Sequence, residues 1–453
     1  MLDPFDCAFV YSRGPAEVEA RKILLPRNAA LWARLGSFIR RVVARTVLNQ
    51  RKLPRADFLF YVESANQLNS LAPIVREIGG MGCSTCLLGA AHRQIDFGGY
   101  ETLLPLAPRP VDSLRGFLRG LLAVRSVMRV LLTIPRGQLV LDQLLEPFRL
   151  SPMFERALSE IEPKIVVVAN DHITSCRVLT ALARQKQIKT AYVQHAQVSS
   201  FFPPLAFDYA LLDGRQALDV YSKIGRQMSA AHSYIFLSGE KKTRRVFRDA
   251  PKSACVGIGV NPLDDLEAVC DLAERLLKAG VQRVIVRLHP ALRGTQEMVM
   301  RASLHGLDAV DVHGASDVSV VQFLRETSCI IAGESSLHID ALLNHIPSFY
   351  ARLVRSQNDG RFIDYYGFLS AGVVSILPEE LGVLASKDIH KRFPVRLSAL
   401  KYFSATIGTK WEGREALLAA RTLAAVSAGN QHEIARLYSR KDPCEAGGSY
   451  FQI

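Results

Sequence analysis

The sequence predicts an α/β protein built as two halves, each a parallel β-sheet with helices packed on its faces. Three observations carry this. Short, continuous apolar runs alternate with amphipathic helical stretches, the βαβ pattern whose crossovers are right-handed. The alternation begins again after a charged stretch, GEKKTRRVFRDAPKS at 239–253. And 453 residues exceed the size at which one hydrophobic core keeps growing, so two domains are expected.

Residues 1–56 read as a basic N-terminal segment ending at Lys52-Leu53-Pro54-Arg55. The first half proper spans 57–245. Its opening strand is FLFYVES, Phe58 to Ser64, apolar almost throughout, as a strand buried on both faces must be. Leu68, Leu71, Ile74, Val75 and Ile78 then recur at helical spacing until Gly79-Gly80 stop the helix. Ser84–Gly89 is the next strand, and the stretch from Val111 to Ile161 reads as largely helical. KIVVVAND, Lys164 to Asp171, is the clearest strand of this half, and Cys176, Leu179, Leu182 and Ala183 stripe the helix after it. Strands follow at Lys189–His195, Phe207–Gly214 and Ser233–Gly239, with a helix from Arg215 to Ile224 between the last two.

The boundary between halves falls at 240–252, and the second half spans 246–376. ACVGIGVNP is a strand with a glycine turn, and LDDLEAVCDLAERLLKAG a helix ending at Gly280. Strands at Val281–Leu288 and Ala309–His313 and a helix at Asp317–Glu326 come next. The strand Cys329–Ala332, the helix Ser336–Asn344 and the strand Ser348–Tyr350 complete the series. Residues 377–453 read as C-terminal helices that pack back on the domains, strongest at Gly413–Gly429.

A chain that is 49% hydrophobic and 22% charged is globular rather than disordered. Its net charge of +13 and pI near 9.4 ask for an anionic partner: nucleic acid, a membrane face or a phosphorylated small molecule. Nucleic acid is excluded by pattern, since neither zinc-finger spacing nor an RNA-recognition aromatic signature is present. Much of the basicity is local. Arg34, Arg40, Arg41, Arg45, Arg51, Lys52 and Arg55 sit among apolar residues in Ala33–Arg55, and Arg115, Arg119, Arg125, Arg129 and Arg136 do so in Ser113–Arg136. Basic amphipathic helices of this kind suit an anionic lipid surface or a solvated face on a sheet. Arginines cut every apolar run before it can span a bilayer. The N-terminus lacks a secretory pattern and the eight cysteines are scattered, so the expected place is a reducing cytoplasm, with peripheral contact to the inner face of the cell membrane.

The chemistry-bearing residues stand at strand ends, where ligands bind in open parallel sheets. VQRVIVRLHP ends in His289-Pro290, where proline stops the ladder and the histidine can donate to a phosphate. CIIAGESSLHIDALLNHIPSFY, Cys329 to Tyr350, turns from strand to helix through Gly333-Glu334-Ser335-Ser336. Gly333 permits a tight turn; Ser335 and Ser336 can cap the helix or offer hydroxyls to a phosphate; Glu334 can take a ribose hydroxyl. No GxxxxGK[ST] is present, which excludes a P-loop, and GIGVNP at Gly257–Pro262 is too short for a dinucleotide fingerprint. In the first half Asp171 and His172, Gln194 and His195, and Asp213 and Gly214 end strands, and Asp171 and His195 are the candidate general bases.

Two Rossmann-like halves, a strand ending in QH with a proline-containing loop after it, RLHP, and ESSLHIDALLNHIP together resemble the GT-B glycosyltransferases of bacterial capsule and surface-polysaccharide synthesis. The pattern is similar to Kdo and sialic-acid transferases with an HP motif and a serine motif, and to CDP-glycerol polyol-phosphate transferases. It covers Phe58 to Gly372, including Asp364-Tyr-Tyr-Gly-Phe. The chain departs from it at Gln194-His195-Ala196, where many relatives carry glycine after the histidine.

The resemblance implies two parallel-sheet domains facing a central cleft, with an acceptor domain first and a nucleotide-donor domain second. His289, Ser335 and Ser336 would contact the donor phosphate, and neither a cofactor nor an essential metal is needed. A CMP-linked Kdo- or sialic-acid-like donor and a surface-glycan or lipid-linked acceptor are the favoured pair. The alternatives are a CDP-polyol phosphotransferase, a UDP-sugar 2-epimerase-like enzyme, and a non-catalytic scaffold for polysaccharide assembly.

Overall fold

The computed structural model describes residues 36, 38–40, 46–47, 52–91, 103–125, 127–128, 141–200, 202–228, 233–241, 254–262, 264–290, 292, 294–315, 317–353, 363–441 and 450–452. Most of the basic stretch Ala33–Arg55 therefore lies outside the described residues. The chain divides into two compact units. One holds Met1–His195, Ser200–Lys242 and Gly408–Ile453; the other holds Ala196–Ser199 and Thr243–Ile407.

In chain order the elements run β1 (Phe58–Val62), α1 (Ala65–Gly80), β2 (Thr85–Ala90), β3 (Leu103–Leu106), α2 (Pro110–Leu122), α3 (Leu141–Ile161) and β4 (Ile165–Val168). Then come α4 (Thr174–Gln185), β5 (Lys189–Val193), β6 (Tyr209–Leu212), α5 (Arg215–Met228) and β7 (Tyr234–Leu237). The second unit carries β8 (Cys255–Val260), α6 (Leu266–Lys278), β9 (Arg283–Leu288), α7 (Thr295–Leu304), β10 (Val310–His313) and α8 (Val320–Glu326). It continues with β11 (Cys329–Ala332), α9 (Leu337–Leu343), β12 (Ser348–Tyr350), β13 (Ser375–Ile376), α10 (Ile389–Arg392) and α11 (Leu397–Phe403). The chain ends with α12 (Glu415–Ala428), α13 (Gln431–Leu437), β14 (Ser439–Lys441) and β15 (Tyr450–Gln452).

The first unit is a nine-stranded sheet in the order β14-β15-β7-β6-β5-β4-β1-β2-β3. All its pairings are parallel except β14 with β15. β1 and β4 are buried along their whole length, which is why they read as unbroken apolar runs. Ser64 caps α1 by accepting from the Gln67 amide at 3.3 Å. α12 packs on α1, and its Leu418, Leu423 and Val426 join Phe58, Phe60 and Leu71 in one core. The second unit is a six-stranded, wholly parallel sheet in the order β10-β9-β8-β11-β12-β13. Its core sets Val256, Ile258, Val284, Val286 and Ile331 against Val269, Leu272 and Leu276 of α6.

The α/β expectation holds in both units. β3, β13, β14 and β15 were not foreseen, because two to four residues are too short to show a period of two. The tail, read as helical, carries two of these strands as well as its helices. α8 starts at Val320 rather than Asp317, since Ser319 takes the capping role and accepts from the Gln322 amide at 3.1 Å.

Candidate functional site

In the first unit the register of the sheet lines up the strand-end residues. Val168 pairs with Tyr192, and Val193 with Leu211. Asp171, His195 and Asp213 therefore follow adjacent strands at similar depth past the carboxyl edge of the sheet. All three are buried, Asp171 at 1% exposure and His195 at 8%.

Asp171 sits in the turn from β4 into α4. Asn170 shapes that turn, its Oδ1 accepting from the amides of His172 at 2.9 Å and Ile173 at 2.7 Å. Both Asp171 carboxylate oxygens are engaged. Oδ2 accepts from the Tyr221 hydroxyl at 2.6 Å, and Oδ1 lies 2.9 Å from His172 Nδ1. A carboxylate facing Nδ1 places the ring proton there and leaves the lone pair on Nε2, which Asn170 Nδ2 approaches at a long 3.5 Å. The His172 side chain is 36% exposed and leans on the Phe202 ring, 4.8 Å between centroids. Behind it, burial and the nearby Asp171 charge push the Tyr221 and Tyr192 hydroxyls well above their ordinary pKa, so both remain protonated donors. Sequence reading named Asp171 and His195 as bases. The geometry gives the neighbouring His172 the arrangement of a base: a buried carboxylate behind an accessible imidazole.

Along the same edge, Lys241 Nζ meets Asp213 Oδ1 at 2.7 Å with both side chains almost wholly buried. Gln194 Oε1 accepts from the Asp213 amide at 2.8 Å. Burial, then the charge of Glu240, push the Asp213 carboxyl up, and Lys241 opposes that shift.

In the second unit β9 delivers His289 and Pro290 to an exposed strand end. The His289 carbonyl accepts from the Leu292 amide at 2.8 Å, closing the turn after it. Crowding by the surrounding chain, then the Arg287 charge, hold the His289 imidazole below its usual pKa. It is therefore a neutral hydrogen-bonding group at pH 7 rather than a fixed cation.

The turn after β11 is tightly specified. A Cβ on Gly333 would stand 3.0 Å from Asp264 Oδ1, so any side chain there would need Asp264 to give way. Glu334 is 1% exposed; its Oε1 accepts from the Tyr350 hydroxyl at 2.6 Å and its carbonyl from Asn261 Nδ2 at 2.7 Å. The Tyr350 oxygen in turn accepts from the Asp364 amide at 3.1 Å, tying in the DYYGF segment. Ser335 Oγ accepts from the Leu337 amide at 3.3 Å, which leaves its hydroxyl hydrogen to donate. Ser336 precedes α9 without a side-chain capping bond, and both serines are half-buried.

His338 and Asp264 complete this turn, and sequence reading singled out neither. His338 is fully buried, with Nδ1 2.7 Å from Ser348 Oγ and Nε2 2.9 Å from the Gly333 carbonyl. Burial lowers its pKa to about 4, so a neutral ring donates from Nε2 to Gly333 and accepts from Ser348. Asp264 accepts from the Asn261 amide at 2.7 Å through Oδ2. Burial, with the Glu334 charge adding to it, raises the Asp264 carboxyl to about 7. Burial also raises Glu334, although the Tyr350 hydroxyl and the amides of Asp364 and Tyr366 ease its charge. Asp264 Oδ1 and Glu334 Oε2 are buried with no hydrogen-bond partner among the described residues. Unpaired buried acceptors are costly. In the sequence alone, Asp264-Asp265 reads as an acidic first helical turn.

No protein-family description matches this chain, and no curated protein does. Solved structures do. The S. aureus protein MnaA, in complex with UDP, superposes with a TM-score of 0.52 at 11% identity, over 82% of this chain and 96% of that one. The glycotransferase of kitacinnamycin gives 0.48 at 12% identity, over 84% and 100%. The wall teichoic acid polymerase TagF, soaked with CDPG, gives 0.46 at 10% identity, over 89% and 98%. The likeness in fold rests on the first of these. With two parallel-sheet α/β units, the chain has the GT-B fold.

Proposed function

We propose that the chain is a glycosyltransferase that moves a sugar from a nucleotide-activated donor to an acceptor hydroxyl. The observation that carries this is the Asp171–His172 pair, a buried carboxylate holding an accessible imidazole at the carboxyl edge of a parallel sheet. Deprotonating a hydroxyl at neutral pH calls for a base of this kind. His172 Nε2 takes the acceptor proton as the acceptor oxygen bonds to the anomeric carbon. The bond from that carbon to the phosphate oxygen breaks, and the nucleotide phosphate departs. The Asp171 carboxylate stabilises the imidazolium, with Tyr221 fixing its position. His195 is then a buried neighbour on the same edge rather than the group that meets the acceptor.

The second unit would hold the donor. His289, ahead of Pro290, and the hydroxyls of Ser335 and Ser336 are assigned to the phosphate, with Gly333 keeping the turn close. The empty acceptor sites on Glu334 and Asp264 suit the hydroxyls of a ribose or sugar. The favoured donor is CMP-linked and Kdo- or sialic-acid-like, because the HP and serine motifs occur together. Transfer is metal-independent, as the resemblance implies, with a bacterial surface glycan or glycolipid as acceptor.

The test has two arms. Thermal-shift titration with CMP, CDP, UDP and dTDP should show stabilisation by one class, CMP for the favoured donor and CDP for a polyol-phosphate donor. Donor consumption by His172→Ala should then fall by about 10²–10⁴ in kcat with nucleotide binding intact. If no nucleotide stabilises the protein, or His172→Ala turns over like the parent, the reading is wrong.

A further inference from the structure

α2 is built inside out. Its small residues face the protein, and its large apolar residues face solvent. Gly116 packs so closely on α3 that a Cβ there would stand 2.5 Å from the Phe148 carbonyl oxygen. Gly120 faces the Phe148 side chain at 3.9 Å. Asp112 is buried on the same side, its Oδ2 accepting from the Arg109 amide at 2.9 Å and from Arg156 Nε at 3.1 Å. The opposite side carries Leu114, Phe117, Leu121 and Leu122 at 59%, 63%, 54% and 78% exposure. Val111 and Leu118 are exposed with them, as are Val124 and Met128 just beyond the helix. The glycine contacts pin the rotation of α2, so it cannot turn to bury these groups.

We infer that this face of α2 docks on an anionic lipid surface. Exposed arginines border it: Arg115 and Arg125 have no carboxylate partner among the described residues, and Arg119 is bonded to Glu155 at 2.8 and 3.0 Å. The only carboxylate of the helix, Asp112, is turned inward. An exposed apolar face edged by guanidinium groups matches acyl chains below a layer of anionic headgroups. A second copy of the chain fits poorly, because two-fold pairing of the face would bring arginine to arginine, and Glu155 is already held by Arg119. Thirteen residues are too few to cross a bilayer, and no helix among the described residues is long and apolar enough to do so. The helix would therefore lie in the plane of the interface. This inference is independent of the proposed transfer reaction.

The experiment is flotation of the full chain with phosphatidylcholine vesicles, with and without phosphatidylglycerol, and with no donor present. The parent should float with the anionic vesicles, less so as salt rises. The quadruple variant Leu114→Ser/Phe117→Ser/Leu121→Ser/Leu122→Ser should lose binding about tenfold or more with its melting temperature maintained, since the positions are exposed. Arg115→Glu/Arg125→Glu should lose about tenfold on anionic vesicles alone. Phe117→Trp should gain fluorescence that brominated lipid quenches. A parent that does not float, a quadruple variant that floats equally, or a parent dimer that the quadruple variant dissolves while vesicle binding is absent would each overturn the inference.

Discussion

The two sheets end in carboxyl groups that are treated in opposite ways. In the first unit each acid has an internal partner that manages its charge: Asp171 has His172 and Tyr221, and Asp213 has Lys241. In the second, Asp264 and Glu334 share one turn and no cation pairs with either among the described residues; a buried oxygen without a donor is common to Asp213, Asp264 and Glu334, so the cation is what differs. A compensated acid is set up to position or move a proton. An uncompensated pair is set up to receive donors from outside. Under the proposed function this difference would separate a proton-handling edge from a ligand-accepting edge, and substitutions can probe each side of it.

The largest effect should come from breaking compensation. Lys241→Met leaves the Asp213 carboxylate buried beside Glu240, and removing one member of a buried pair costs about 3–5 kcal/mol. Denaturant midpoints should fall sharply near neutral pH and recover in part in acid, where Asp213 takes up a proton. A loss that is the same at all pH values would mean that Asp213 is not the group left exposed to the cost.

The opposite sign is expected on the second edge. Burial raises Asp264 to about 7 in the folded state, against an unfolded value of about 4. Between those values the folded protein binds more protons than the unfolded chain, so this group lowers stability as pH rises through that window. Asp264→Asn keeps an oxygen for the Asn261 amide and removes the charge. It should stabilise the protein by about 2–3 kcal/mol more at pH 8 than at pH 5. Melting curves at the two pH values check this; parallel shifts would count against an uncompensated carboxyl. If Asp264 Oδ1 accepts a ligand hydroxyl, the same variant should weaken nucleotide binding while raising stability.

How much of this was legible in the sequence differs between the edges. Continuous apolar runs located β1, β4, β9 and β11, and the polar residues after them marked both edges, because a strand buried on both faces leaves polar groups only at its ends. The partners were not legible. Tyr221 lies fifty positions beyond Asp171 on another element, and Asp264 reaches Gly333 only through the β8–β11 pairing. Side-chain pairing across a sheet leaves no local period to read. GIGVNP shows the complementary limit. Its glycines make room for packing, since a Cβ at Gly257 would meet Phe323 at 2.6 Å and one at Gly259 would meet Leu337 at 2.5 Å.

A smaller test asks how closely the second edge is built. Gly333→Ala forces a methyl against Asp264 Oδ1, where the 3.0 Å gap is too short for an ordinary contact. Overpacking of this kind costs about 1–3 kcal/mol. Because Asp264 is the group that must yield, Asp264→Asn should not rescue the methyl clash, but Asp264→Ala should. A double-mutant cycle on melting temperature measures the coupling, and additive effects would show that the two sites do not touch.

The smallest effect should fall on Ser336. Ser336 begins α9 without a side-chain capping bond, so Ser336→Ala should change stability by less than about 0.5 kcal/mol, below the usual loss for a working cap. Ser335→Ala removes the acceptor of the Leu337 amide and should cost about 0.5–1 kcal/mol. If the two hydroxyls serve a donor phosphate, Ser336→Ala should weaken nucleotide binding out of proportion to its small stability change. A hydroxyl that matters to the ligand and not to the fold belongs to the accepting edge. A Ser336→Ala protein that binds nucleotide like the parent would restrict that edge to Ser335, His289 and the two carboxyls.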